Sequence, residues 1–144
     1  MTCIASRNGF VAADRGITAG GGARVGTIAK IVVGPKGIVG AACGTLTYAA
    51  AFLAWVESGR FGAAPASGEQ NEGVVFEVDG SVTIYENNGS ASVRADYYAF
   101  GSGTKVALGA LHAGASAAGA IEAAITHDDG SYGGVDVLQV GATT

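Results

Sequence analysis

Three residues near the amino end have types and spacing that suit nucleophilic catalysis. Thr2 follows Met1, Asp14 ends an apolar stretch, and Lys30 stands inside another apolar stretch sixteen residues later. A methionine before a small residue is normally removed, which would leave the α-amine of Thr2 beside its own hydroxyl. Such an amine can accept the hydroxyl proton and activate a weak nucleophile. Taken alone, Thr2 does not indicate a nucleophile, because threonine is common at position 2.

Asp14 and Lys30 each have two interpretations. A carboxylate after an apolar strand commonly caps a turn, and a lysine within a strand either points to solvent or is buried with a partner. If Lys30 is buried and paired with Asp14, its charge would lower the pKa of a neighbouring hydroxyl or amine. The sequence pattern around the pair leaves both interpretations open.

The elements that must position these residues are mostly short strands joined by tight turns. Residues 3–6 and 10–13 are predicted to form a hairpin, because Asn-Gly at 8–9 accepts the positive φ angles of a primed turn. A second hairpin is predicted from 74–78 and 81–85 around an Asp-Gly turn. Further strands are predicted at 29–33, 38–42, 97–100 and 135–140, with loops at 20–22 and 62–73.

Helices are predicted at 45–58, 104–113 and 115–126, the first of them stopping at Gly59. Strands and helices therefore do not alternate as they do in a doubly wound parallel sheet. We predict an α+β fold, a four-layer α/β/β/α sandwich with two antiparallel sheets between helices, in a single domain over residues 1–144.

Composition excludes several classes of protein. Glycine and alanine make up more than a third of the 144 residues, 49% are hydrophobic and only 14% are charged, which does not fit a disordered chain. The 25 glycines follow no three-residue period, so the chain is not a collagen. A net charge of −4 without a basic stripe argues against nucleic-acid binding.

Metal, cofactor and membrane signals are weak. Cys3 and Cys43 form no CxxC pair, and His112 and His127 are too far apart for a helical metal pair, so we expect no metal or cofactor. The first residues lack the pattern of a signal peptide, which favours the cytoplasm. An uncharged run at 37–56 matches a membrane span in length, but its glycines favour a strand followed by a buried helix.

The order of these residues resembles the proteasome β-subunit family, and within it the HslV-type bacterial peptidases. Thr-Cys-Ile-Ala at 2–5 is similar to the opening of that family, Asp14 to the end of its second strand, and Lys30 to its lysine at the same spacing. Cys-Gly-Thr at 43–45, Phe-Gly-Ser-Gly at 100–103 and Asp-Gly-Ser-Tyr-Gly-Gly at 129–134 are similar to its glycine-rich turns. The likeness covers nearly the whole chain, although each motif is short.

The resemblance implies an N-terminal-nucleophile hydrolase of the α/β/β/α fold and a role for each matched residue. The implied catalytic set is Thr2 (nucleophile), Asp14 and Lys30 (a charge pair), Gly44 (an oxyanion-binding N–H), Ser102 and Asp129 (positioning of the amine), with Thr18 and Thr45 as substrate contacts.

Two positions depart from the family pattern. Tyr132 stands where the family has a serine, with Ser131 one position early, so either Ser131 reaches over or that hydrogen bond is lost. The aspartate that the family has near the start of its first helix is missing from 45–48, which affects pocket preference more than chemistry.

The function that follows from the resemblance is a threonine peptidase that cleaves peptides or unfolded proteins after Met1 is removed. It implies a homo-oligomeric ring, fed by an AAA+ unfoldase. The departures and the short chain leave two alternatives open, a non-catalytic structural subunit that keeps the fold and a small-molecule amidohydrolase.

Overall fold

The computed structural model describes residues 2–142, and over this range it contains three helices and eleven strands. The predicted removal of Met1 therefore concerns a residue outside the described range. In chain order the elements are β1 (Cys3–Arg7), β2 (Phe10–Asp14), β3 (Gly16–Thr18), β4 (Arg24–Thr27), β5 (Ile31–Val33), β6 (Val39–Cys43), α1 (Leu46–Glu57), β7 (Glu72–Phe76), β8 (Val82–Glu86), β9 (Gly89–Val93), β10 (Tyr97–Gly101), α2 (Thr104–His112), α3 (Ala117–His127) and β11 (Val135–Gln139).

The chain forms two compact units. The first contains the described residues up to Lys30 together with Asp96–Val137. The second contains Ile31–Ala95 and the described residues from Leu138 onward. Each unit has its own buried apolar cluster, so each is described by itself.

The first unit packs α2 and α3 against the sheet ordered β10-β1-β2-β11. Asn8 and Gly9 have φ angles of 53° and 80°, which confirms the primed turn predicted between β1 and β2. Ser116 caps α3 by accepting the Gly119 N–H at 3.1 Å. The core between helices and sheet consists largely of small side chains around Leu111 and Ile121.

The second unit packs α1 against the antiparallel sheet ordered β5-β6-β7-β8-β9. Glycines in the sheet let the helix approach closely, because a Cβ on Gly40 would lie 2.8 Å from Val56 and a Cβ on Gly73 would lie 2.3 Å from the Phe52 ring. Phe52 is fully buried, and the ring of Trp55 contacts it. Part of the glycine excess is thus explained by helix–sheet packing.

The predicted α+β class with antiparallel sheets is confirmed, and all predicted helices and strands are present with ends shifted by a few residues. The described residues also contain three strands that were not predicted, β3, β4 and β9, and the first two form a separate two-stranded sheet. The uncharged run folds as β6 followed by α1. No helix within residues 2–142 is long and apolar enough to cross a membrane.

Candidate active site

The first unit contains a buried ion pair. Lys30 Nζ lies 2.9 Å from Asp14 Oδ1, and the side chains are only 7% and 0% exposed. The same Oδ1 accepts the backbone N–H of Cys3 at 2.9 Å, and Oδ2 accepts the backbone N–H of Tyr132 at 3.2 Å. A buried carboxylate requires such partners, because an unpaired charge is costly in a low dielectric. Of the two interpretations left open by the sequence, the structure has Lys30 buried and paired.

Thr2 precedes Cys3, whose N–H binds Asp14, and its backbone is held by the turn that follows β10. Its N–H donates to Ser102 Oγ at 3.2 Å, and its carbonyl accepts from Ser102 Oγ at 3.2 Å and from Gly103 N at 3.3 Å. Thr2 itself is 8% exposed. The structure therefore brings Thr2, Asp14, Lys30 and Ser102 together in one unit, as the sequence predicts.

Two glycines make this contact possible. A Cβ on Gly101, whose φ is +94°, would lie 2.1 Å from the Thr2 carbonyl oxygen. A Cβ on Gly103 would lie 2.8 Å from the Cys3 side chain. The Gly-Ser-Gly sequence thus lets the backbone after β10 lie against the first two described residues.

We expect Gly101→Ala to lower the free energy of unfolding by about 2 kcal/mol or more, because it combines a disfavoured φ with a steric clash. The matched control is Gly109→Ala in the middle of α2, where a Cβ meets no atom within 4 Å and alanine should stabilise by about 0.5–1 kcal/mol. Urea unfolding of both variants measures the difference. Equal midpoints would contradict the close approach at Gly101.

The acidic residue of the late motif differs from the one predicted. Asp129 has an exposed side chain, whereas Asp128 Oδ2 accepts the hydroxyl of the fully buried Ser131 at 2.7 Å. Asp128 ends α3, and Ser131 returns to it by a backbone bond from Ser131 N to Asp128 O at 3.2 Å. The hydrogen-bonded turn therefore selects Asp128, because it directs that side chain inward. A Cβ on Gly103 would lie 3.1 Å from Ser131 Oγ, so this group borders the turn that holds Thr2.

Thr18, predicted to contact substrate, is the last residue of β3 and is half-buried. It is paired with Arg24 of β4 across a register shift. The β3–β4 hairpin begins two residues after Asp14, so the chain enters the hairpin immediately after this residue of the ion pair.

Gly44 and Thr45 belong to the second unit, where they form the turn from β6 into α1. Thr45 caps the helix, since its Oγ1 accepts Tyr48 N at 3.3 Å. Asn71 Oδ1 accepts the N–H of Thr45 at 2.8 Å and lies where a Cβ on Gly44 would be, 2.1 Å away. Gly44 also has a φ of +118°, so a side chain there is excluded both by the backbone conformation and by the contact with Asn71. Asn71 was missed by the sequence analysis, because it lies in a segment predicted only as a polar loop.

Cys3 follows Thr2 in the chain, and its thiol is a second potential nucleophile. Its thiol is 0% exposed and faces the apolar cluster of the first unit. Burial, with smaller contributions from the charges of Asp14 and Asp128, raises the pKa of Cys3 to about 12. Since the thiolate is the reactive form, Cys3 is unsuited to attack a carbonyl.

We expect iodoacetamide at pH 8 to modify Cys43, which is half-exposed, and to leave Cys3 unmodified in the folded protein. In urea both thiols should react. Peptide mass spectrometry after timed quenching measures the two rates. Fast labelling of Cys3 in the folded protein would contradict its burial and its raised pKa.

Within residues 2–142, no three His, Cys, Asp or Glu side chains lie close enough together to hold a metal ion.

No protein-family model matches the chain, and the curated proteins give no significant match. Solved structures do. The chain is similar to BPH of Thiobacillus denitrificans in complex with epoxomicin, with a TM-score of 0.65, 18% identity, and coverage of 96% of this chain and 98% of that chain. A second structure, of Thiobacillus denitrificans BPH, has a TM-score of 0.65 and 19% identity, with coverage of 96% of this chain and 97% of that chain. At this identity the likeness shows a shared fold.

Proposed function

We propose that the protein is a threonine peptidase whose nucleophile is Thr2, exposed by removal of Met1. The observation that carries the proposal is the buried Asp14–Lys30 pair, because the Asp14 oxygen that holds Lys30 also accepts the N–H of Cys3, the residue after Thr2. Burying a lysine costs desolvation free energy, which a purely structural role would have to offset. A positive charge beside a hydroxyl favours the ionised form of that hydroxyl, which gives the buried lysine a role in catalysis. The resemblance to proteasome β-subunits assigns the same roles to these residues.

The chemistry follows from the groups around Thr2. The free α-amine takes the proton from Thr2 Oγ, directly or through a water, as Oγ attacks the peptide carbonyl. The amine then gives that proton to the leaving nitrogen, the C–N bond breaks, and an ester on Thr2 remains. Water hydrolyses the ester by the same proton transfers in the second half-reaction. Lys30 stabilises the negative charge on Oγ, and Ser102 Oγ, 3.2 Å from Thr2 N, orients the amine.

The acid that supports this arrangement is Asp128 in our proposal, in place of the predicted Asp129. Its carboxylate fixes Ser131 beside Gly103, the residue whose N–H bonds the Thr2 carbonyl. The exposed Asp129 lies one residue too late for this contact. Asp128 and Ser131, in the turn after α3, thus act on the Thr2 backbone through Gly103 in the turn after β10.

The oxyanion role of Gly44 and the four-layer α/β/β/α arrangement belong to the same proposal. Asn71 Oδ1 already accepts the N–H of Thr45, and we propose the neighbouring N–H of Gly44 as the oxyanion donor. The Thr45 hydroxyl caps α1, so we propose that Thr45 acts on substrate through its backbone position.

A homo-oligomeric ring, an AAA+ unfoldase and a cytoplasmic location are further parts of the proposal. Exposed apolar side chains support self-association, with Phe61 86%, Val25 61% and Val78 60% exposed. Ring closure requires a head-to-tail interface between different surface patches of neighbouring copies.

The test is hydrolysis of fluorogenic peptides by the purified protein, with simple amides assayed in parallel. We expect cleavage of peptides and a covalent adduct with epoxomicin, seen as one added inhibitor mass by intact-protein mass spectrometry. Cleavage of simple amides alone would replace the proposal with an amidohydrolase. Neither cleavage nor an adduct in a chain that begins at Thr2 would favour a structural subunit.

A further inference from the structure

Tyr132 stands where the family that the sequence resembles has a serine. Its backbone is hydrogen-bonded to the end of β2 and to the residue that follows. Its N–H donates to Asp14 Oδ2 at 3.2 Å, and its carbonyl accepts the N–H of Arg15 at 3.2 Å. Two bonds to adjacent residues leave the Tyr132 backbone little freedom to rotate. The position of Tyr132 and the position of the Asp14 carboxylate are therefore linked.

The phenol of Tyr132 joins both strands of the β3–β4 hairpin. Its oxygen lies within hydrogen-bonding distance of the Ile17 carbonyl and lies 2.8 Å from the Gly26 carbonyl, and it accepts the Gly26 N–H at 3.4 Å. Ile17 and Gly26 face each other in the register of the hairpin. One hydroxyl group thus connects the two strands at the same level.

The ring of Tyr132 packs between the hairpin backbone and a charged side chain. A Cβ on Gly16 would lie 2.2 Å from Cδ1 of the ring, so only glycine leaves room for it. The Arg24 guanidinium carbon lies 4.5 Å from the ring centroid, which is a cation–π distance. All four residues of β4 are exposed, and a two-stranded sheet is marginally stable alone. Tyr132 therefore supplies ring packing and hydrogen bonds to both strands of this hairpin.

The geometry points to Tyr132 as a positioning residue that couples the order of the β3–β4 hairpin to the Asp14–Lys30 pair. A loosened hairpin lets Tyr132 move, and the Asp14 carboxylate then loses one of its fixed donors. The catalytic part of this inference rests on the proposed peptidase activity, whereas the structural coupling does not. Because Asp14 acts on the nucleophile and not on substrate, loss of the coupling should lower kcat and leave KM nearly unchanged.

The test is Tyr132→Phe, which removes the hydroxyl and keeps the ring and the backbone. The matched control is Tyr97→Phe, because within residues 2–142 the Tyr97 hydroxyl makes only an exposed contact of 3.4 Å with His112 Nδ1. We expect hydrogen exchange at the N–H of Gly26 and of Cys3 to become at least about fivefold faster in Tyr132→Phe. The kcat for peptides should fall by a similar factor, and Tyr97→Phe should change neither quantity.

The outcomes separate this inference from the proposed function. Unchanged exchange at Gly26 or at Cys3 would overturn the coupling, even in an active peptidase. Faster exchange with an unchanged kcat in an active peptidase would also overturn it. If the wild-type protein cleaves no peptide, the proposed function fails, and the exchange at Cys3, which donates to Asp14, still decides the coupling.

A double-mutant cycle gives a second measurement that does not depend on activity. Gly16→Ala should destabilise the wild-type protein, because the new Cβ displaces the Tyr132 ring. In a Tyr132→Ser background no ring occupies that space, and the same change should cost much less. Additive effects of the two substitutions would overturn the packing of Tyr132 on Gly16.

Discussion

Replacing Thr2 by alanine is expected to reduce peptide hydrolysis by about 1,000-fold or more, because the nucleophilic hydroxyl is lost. The fold should be unchanged, since the bonds to Ser102 and Gly103 use the Thr2 backbone and survive in alanine. Alanine at position 2 is small enough to allow removal of Met1, and the methyl group that it also lacks is tested by the serine control described next. Initial rates with a fluorogenic peptide and a urea midpoint measure the two quantities.

Thr2→Ser is the matched control, because it keeps both the hydroxyl and the α-amine. Its activity should remain within about tenfold of wild type. An alanine variant as active as wild type would refute Thr2 as the nucleophile. An inactive serine variant with a wild-type urea midpoint would argue that the hydroxyl of residue 2 is not what the reaction uses.

Removal of Lys30 should produce the largest loss of stability in the first unit. In Lys30→Met the carboxylate of Asp14 stays 0% exposed without its cation, and breaking a buried pair in this way typically costs about 3–5 kcal/mol. Peptide hydrolysis should fall at least about 100-fold, because the charge beside Thr2 is lost. Urea unfolding and initial rates check both effects.

Two companion variants make the result interpretable. Arg94→Met breaks an ion pair whose side chains are 65% and 61% exposed, and it should leave the urea midpoint almost unchanged. Asp14→Asn combined with Lys30→Met removes both charges while the amide oxygen can still accept the Cys3 N–H. This double variant should regain stability but not activity. Recovery of activity would show that the pair has only a structural role.

The residues of the ion pair could be predicted from their types and their spacing. An apolar stretch ending in Asp14 and another interrupted by Lys30 indicated two strands with polar side chains at their ends. Whether Lys30 was buried depended on tertiary packing, which a local pattern does not contain. The hairpin of β1 and β2 was predictable because Asn-Gly has strong local turn chemistry.

The parts that were missed depend on contacts between distant positions or on weak local signals. β9 is an exposed edge strand of sequence Gly-Ser-Ala-Ser-Val, which has little of the β-branched and aromatic character typical of strands. Tyr132 and Asn71 act through partners far along the chain. The choice between Asp128 and Asp129 required the direction of the backbone after α3, which adjacent identical residues do not reveal.

The central claim is that catalysis requires a chain that begins at Thr2 with a free α-amine. The most direct measurement compares two preparations of the same protein, released from a carrier so that one begins at Met1 and the other at Thr2, each verified by intact mass. Our account predicts peptide hydrolysis by the second preparation and at least about 1,000-fold less by the first. Equal rates in the two preparations would contradict it.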